Sequence, residues 1–431
     1  MVYLGLLLIF ICGFDLFYLM PGYHIRGLFR VSDLGLLLTF LMAGSFFVRS
    51  QHRNLVANPV ALMVIAYLFL TLIQVVSATY NYHQPIMSGL IQSRHQFYYL
   101  SYFVFLLALD TDEKVEKFMG YMMKIAIFIV IISVINYFGP TLFHHPWAEG
   151  HGIRSGIKRA FLPAMNIIGL AFIWWLTRYV ARVPGYRKDG YGVLLMFAAL
   201  LFRQTRGRVI AATLASFWIF FREGRMRLLV GMIVAALLGG GVMAMILGEN
   251  ILVGSFETAY TDVTEEEGTW VGRIKQIENS LETFLEHPWI GTGARFIRQQ
   301  AGVTTDQKTL EDAYQGDLGW PHWLKNYGIL GTVWVIALTI VVLRKSAENR
   351  RKNPSDVISR FAEYNFIHIM IGMMTINYLV KVDGILVLCL GLAMLHRRVT
   401  PESNIEIGPK VKHPQETDSI LRRKRSTLVA R

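Results

Sequence analysis

The stretch Arg203-Gln204-Thr205-Arg206-Gly207-Arg208-Val209 sets two arginines on either side of a glycine, with a third just upstream. A guanidinium presents a planar fork of N–H donors that matches phosphate oxygens two at a time. Where such a segment opens a helix, free backbone N–H groups and the positive end of the helix dipole favour an anion as well. Gly207 would let a ligand approach the backbone closely. The competing reading is that these arginines only reach to lipid phosphates at a membrane surface.

Arg273 is a second candidate. It lies in GTWVGRIKQIENSLETFLEHPWIGTG, where Trp270, Ile274, Ile277, Leu281, Phe284 and Leu285 recur at helical spacing with Lys275, Glu278, Asn279, Glu282 and Glu286 opposite. That pattern predicts an amphipathic helix lying on something apolar. Its stem can pack beside the stripe while its head reaches the interface, or it is a solvated helix-face charge. His322, in DLGWPHWLKNYGILG, is the third candidate, because imidazole titrates close enough to neutrality to take a proton from a hydroxyl. A histidine at such a place can also be a plain polar anchor.

Two further groups carry less. His144, His145, Glu149 and His151 could ligate zinc, but their spacing matches no closed motif. The neighbouring Arg154 and Arg159 read better, with Arg203, as basic lining of a substrate site. Lys381 and Asp383 point in different directions from one helix and do not pair with each other. Asp383, Asp312 and Asp317 stand in reserve as general bases.

The elements that must position these residues are apolar. Hydrophobic side chains make up 53 % of the 431 residues and charged ones only 17 %, with a mean hydropathy of +0.40, which places the chain in lipid. The apolar blocks are about as long as a hydrocarbon core requires, roughly 17–25 residues per helix. They show no strand alternation, so helices span. The expected spans are 3–20, 34–48, 60–79, 95–109, 118–138, 163–182, 191–202, 209–221, 228–248, 324–343, 361–379 and 381–395. The first block lacks a positive n-region and a cleavage site, and reads as an uncleaved span. Cys12 and Cys389 fall inside apolar blocks and imply no disulfide framework.

A formal charge of +13 raises nucleic acid as a partner, but the basic residues are better explained by sidedness. With the N-terminus cytoplasmic, the inside loops collect Arg49 and Arg53; Arg182, Arg187 and Lys188; Arg222, Arg225 and Arg227; Arg344, Lys345, Arg350, Arg351 and Lys352; and the tail's Arg397, Arg398, Arg422, Arg423, Lys424 and Arg425. Membrane lipids, and no nucleic acid, are the partners this implies. The arginines left outside, at 203–208 and at 273, work against topology and are the ones that need a chemical reason.

The expectation is therefore an all-α polytopic membrane protein of about 12 transmembrane helices with a large extracytoplasmic loop containing an amphipathic helix. It divides into an N-terminal bundle over 1–248, the loop over 249–323, C-terminal helices over 324–396 and a basic, disordered cytoplasmic tail over 397–431.

Three segments, in this order and on one face, resemble the bacterial O-antigen ligase and O-antigen polymerase family of integral membrane glycosyltransferases. RQTRGRVIAATLASF resembles the family's Ser/Thr-Arg-Gly segment opening a span. VGRIKQIENSLETFLEHPWIGTG resembles its Arg, amphipathic helix, Pro, Gly-x-Gly segment. PHWLKNYGILG resembles its His followed by Gly-Ile-Leu-Gly, although family members often carry His-Asn where this chain has His322-Trp323. The resemblance implies that Arg206 or Arg208, with Arg273, binds the diphosphate of a polyprenyl-diphosphate-linked glycan donor, and that His322 acts at the acceptor hydroxyl. It further implies a metal-independent reaction without cofactor on the periplasmic face of the bacterial inner membrane. The acceptor would be a lipid A-core sugar in a ligase or another lipid-linked glycan in a polymerase, with ligase-type transfer preferred. A transporter or flippase of a lipid-linked sugar is the reading from a different class.

Overall fold

The structure is a computed structural model that describes residues 2–20, 24–26, 29–48, 58–144, 153–154, 157–158, 161–203, 205–231, 234, 269–295 and 318–397. The expected tail after Arg397, most of the expected span 228–248, and His145, Glu149, His151, Arg159, Asp312 and Asp317 lie outside them; Arg397, expected as the first residue of the disordered tail, is instead buried against Asp112 and Asp356.

With no water to satisfy backbone groups in a bilayer, long apolar blocks must close their hydrogen bonds internally, and the described residues are helical almost throughout. The helices are α1 (Val2–Gly13), α2 (Val31–Val48), α3 (Pro59–Tyr82), α4 (Ile86–Ser93), α5 (Ser101–Ala108), α6 (Asp112–Phe138), α7 (Met165–Ala181), α8 (Tyr186–Phe202), α9 (Arg206–Arg222), α10 (Thr269–Glu286), α11 (Trp320–Lys352), α12 (Val357–Gly372) and α13 (Val382–Met394). Two very short antiparallel pairs, His24–Arg26 with Phe29–Arg30 and Ile153–Arg154 with Ile157–Lys158, sit in loops. Local signals start several helices. Asn58 accepts from the Val60 N–H at 2.9 Å ahead of Pro59, and Asp356 accepts from the Ser359 N–H at 3.1 Å.

Among the described residues α3, α6 and α11 are long and apolar enough to cross a membrane unaided, while α1, α2, α7 and α13 are apolar but shorter. The core is central: α13 is buried from Gly384 to Met394 and α7 nearly throughout Met165–Thr177. α3, α6 and α9 turn residues such as Phe69, Ile131 and Phe217 outward, as lipid-facing helices do.

Three expected spans end differently. The block 3–20 is helical only to Gly13, and Asp15, Leu16, Phe17 and Tyr18 then take positive φ in a short 3-10 turn. The block 361–379 stops at Gly372 and gives way to a turn ahead of α13. Gly372 ends the helix there because the Tyr378 ring folds back against its α-carbon, leaving no room for a side chain. Finally, α11 begins at Trp320, runs to Lys352, and is broken at Gly328 (φ 59°, ψ −156°), a conformation essentially reserved for glycine.

The break at Gly328 takes backbone groups out of the helical ladder, and the segment after α10 bonds four of them. The N–H groups of Ile329 and Leu330 donate to the carbonyls of Pro288 and Trp289 at 2.8 and 3.0 Å. The carbonyls of Lys325 and Asn326 accept from the N–H groups of Thr292 and Gly293 at 2.9 and 3.2 Å. On its other side the same segment is held by α3, where Gln74 donates to the Ile290 carbonyl at 2.8 Å, Ser77 to that of Gly291 at 2.9 Å and Asn81 to that of Thr292 at 3.2 Å. The HPWIGTG sequence that follows the amphipathic helix is spliced into the break of α11.

Candidate functional site

The arginines at the start of α9 and the histidine at the start of α11 share one end of the bundle, because α7, α9, α11 and α13 all begin there. The turn at 373–381 ties them together. The Trp320 N–H donates to the Met373 carbonyl at 2.9 Å, fixing the start of α11 on the turn. The Leu379 carbonyl accepts from Tyr67 at 3.3 Å and Tyr99 at 3.2 Å. Thr375 fills the space over Gly207, so that a β-carbon there would collide with its side chain. The expectation that Gly207 admits a ligand is thereby corrected: the missing side chain serves the packing of α9 on this turn.

His322 is half-buried and lies between two carboxamides. Asn326, one helical turn on, places Nδ2 at 2.7 Å from His322 Nε2, and Asn377 of the turn places Nδ2 at 3.3 Å from Nδ1. Both ring nitrogens thus face carboxamide nitrogens, which help to orient the ring. The longer contact, at Nδ1, is the one an incoming hydroxyl could replace. Asn377 is itself fully buried, and its Oδ1 has no hydrogen-bond partner among the described residues.

The next residue in the turn, Tyr378, meets the other candidate: the Arg208 guanidinium lies over its ring, 5.7 Å from the centroid. Arg208 Nη1 also donates to Asn166 Oδ1 at 3.4 Å. Asn166 Nδ2 in turn donates to Asp383 Oδ2 at 2.6 Å. Asp383 is therefore engaged at the start of α13 rather than poised beside His322 as a reserve base.

Arg206 is the first residue of α9. Arg203 caps the preceding helix, its guanidinium 5.1 Å from the centre of the Phe161 ring, and Arg154 stands in a two-residue strand facing Ile157. Arg273 is exposed on α10, which packs along α11, and no ion pair holds it among the described residues. The amphipathic helix expected around Arg273 is present as Thr269–Glu286.

Trp323 takes no part at the mouth. It is buried, stacked on Tyr327 with centroids 4.1 Å apart and planes 15° apart. Beside His322 the described amides are those of Asn326 and Asn377. Sequence reasoning missed Asn166, Asn326 and Asn377. The only available signal was polar Thr375 and Asn377 inside a block otherwise apolar enough to span.

Residues 191–336 match the family described as O-antigen ligase. The matched region takes in Arg203, Arg206, Arg208, Arg273, His322 and Asn326, while Asn166 and the 373–383 segment lie outside it. No curated protein matches the chain.

Proposed function

We propose, on the premise that this chain carries an O-antigen ligase family domain at residues 191–336, that it is a membrane glycosyltransferase moving a glycan from a polyprenyl-diphosphate carrier to an acceptor hydroxyl. One observation carries the reading: consecutive residues Asn377 and Tyr378 contact His322 and Arg208 respectively. This sets a base and a guanidinium on one short turn at one mouth. A donor with its tail in lipid, its diphosphate at the interface and its sugars in water needs that arrangement.

In this reaction the acceptor oxygen bonds to the anomeric carbon while the bond from that carbon to the phosphate oxygen breaks. His322 takes the hydroxyl proton, a contribution typically worth about 10²–10⁴-fold. Arg208, with Arg206 and Arg273, stabilises the negative charge growing on the departing lipid diphosphate. These arginines supply the positive charge, so the residues ask for no metal. The site faces the periplasm, opposite the Arg- and Lys-rich loops. Ligase-type transfer to a lipid A-core sugar is preferred, and polymerisation of lipid-linked repeats would use the same groups with another acceptor.

The broken α11 is a feature that transporters use to coordinate ions. Here the N–H groups of Ile329 and Leu330 and the carbonyls of Lys325 and Asn326 are taken up by residues 288–293 and so are not offered to a cargo ion, which favours the enzyme reading.

Purified protein in detergent should release polyprenyl diphosphate from a lipid-linked glycan when acceptor is added, and a transporter would not. Alanine at Arg206, Arg208 or Arg273 should abolish release with expression intact, and lysine should rescue poorly because a point charge lacks the bidentate fork. Full activity in those alanine variants overturns the site. Deleting the gene separates the acceptors: unattached lipid-linked polymer accumulates if the protein is a ligase, and single repeats remain if it is a polymerase.

A further inference from the structure

Among the described residues Arg208 does not meet a carboxylate. The nearest acidic group in its chain of contacts is Asp383, and the side chain of Asn166 stands between them, accepting from Arg208 Nη1 at 3.4 Å and donating to Asp383 Oδ2 at 2.6 Å. Asn166 is the second residue of α7 and only 7 % exposed. Its carboxamide is held from the acidic side by the shorter bond, and Asp383 Oδ1 is anchored by the Gly384 N–H at 3.0 Å. The relay spans three elements, α13 to α7 to α9.

We propose that Asn166 is a positioning residue for Arg208, transmitting the orientation of Asp383 to the guanidinium across a neutral amide. The inference rests on the reading of Arg208 as a diphosphate-binding group. A carboxylate in direct contact would neutralise the guanidinium and occupy the fork that must grip phosphate. A guanidinium with no partner would sample many rotamers and lose that geometry on binding. An amide oxygen takes one of the five N–H donors, fixes the plane together with Tyr378 below it, and leaves the remaining donors and the full positive charge for an anion.

The test uses full-length protein in detergent and measures kcat and KM for a lipid-linked donor in wild type, Asn166→Leu, Asn166→Asp, Arg208→Lys, Arg208→Ala and the Arg208→Lys/Asn166→Leu double variant. Asn166→Leu should lower kcat/KM by about 10²-fold, the scale of a small misplacement of a binding group. Asn166→Asp keeps shape but sets a carboxylate on Arg208 and gives up the bond donated to Asp383, and should raise KM for the donor more than Asn166→Leu does. In the Arg208→Lys background the Asn166→Leu change should add little, because the fork it orients is already gone.

Full activity in Asn166→Asp, or an Asn166→Leu effect that multiplies unchanged onto Arg208→Lys, overturns the proposal and reduces Asn166 to a packing residue. If Asn166→Leu fails to fold, the isosteric aspartate variant decides. Wild-type activity in Arg208→Ala instead defeats the diphosphate reading itself, so the two failures are distinct.

Discussion

The two ends of the helical bundle treat arginine in opposite ways. At the end where α11 finishes, Arg350 Nη2 lies 3.0 Å from Glu363 Oε2 and Arg360 Nη1 2.6 Å from Glu223 Oε2, while buried Arg397 reaches both Asp112 and Asp356. At the end where α11 begins, Arg208 is met by an amide and an aromatic face, and Arg273 is exposed. The first arrangement pins α9, α11, α12 and α6 together and uses up the charge. The second orients a cation and leaves its charge available. Arg94, bonded to Asp33 at 2.7 Å, shows that position at one end does not decide the matter: the identity of the partner does.

The comparison can be broken by moving activity and stability separately. The largest effect is expected for His322→Ala, a fall in turnover of about 10²–10⁴-fold with an unchanged melting temperature; a loss of less than tenfold removes the base assignment. At the opposite end, Glu363→Ala removes the carboxylate nearest Arg350, which keeps Glu223 and Tyr364 as partners, and should cost about 1.5–3 kcal/mol of stability, read as a lowered midpoint of thermal unfolding in detergent. Turnover per folded molecule should hold, and a selective loss of turnover would mean that the paired end is not merely structural. Gly328→Ala should cost about 1–3 kcal/mol because an L-residue is strained at that φ and ψ, with turnover falling as the stub that carries His322 shifts. The smallest effect is assigned to Arg203→Ala, which gives up a ring contact worth about 0.5–1 kcal/mol; a large loss of donor binding there would instead promote Arg203 to the substrate lining.

Much of this was legible in the chain because lipid imposes a strong code. Apolar length, caps such as Asn58 and Asp356, and the amphipathic period around Arg273 are local signals, and helices stand where they point. His322 and Arg208 were legible because their side-chain types are conspicuous at the ends of apolar blocks. The arginines at 350 and 397 were read as topology markers alone, since their partners Glu363 and Asp356 are visible as partners only once the helices are packed. Of the amides, only Asn377 left a trace, as a polar residue in an otherwise apolar block. Asn166 and Asp383 are 217 residues apart, and a lone asparagine in an apolar run carries no chemical signature. The halt of α12 at Gly372 and the break at Gly328 escaped for a related reason: each is a backbone event whose compensating hydrogen bonds come from elsewhere in the chain.

The splice of residues 288–293 into α11 has a mechanical consequence. Two main-chain bonds yoke the stub Trp320–Tyr327 to Thr292 and Gly293, two more tie Pro288 and Trp289 to Ile329 and Leu330 beyond the break, and α3 grips the segment from behind. A displacement of α10 would therefore carry the start of α11, and His322 with it, since the two cannot slide apart without leaving amide and carbonyl groups unpaired.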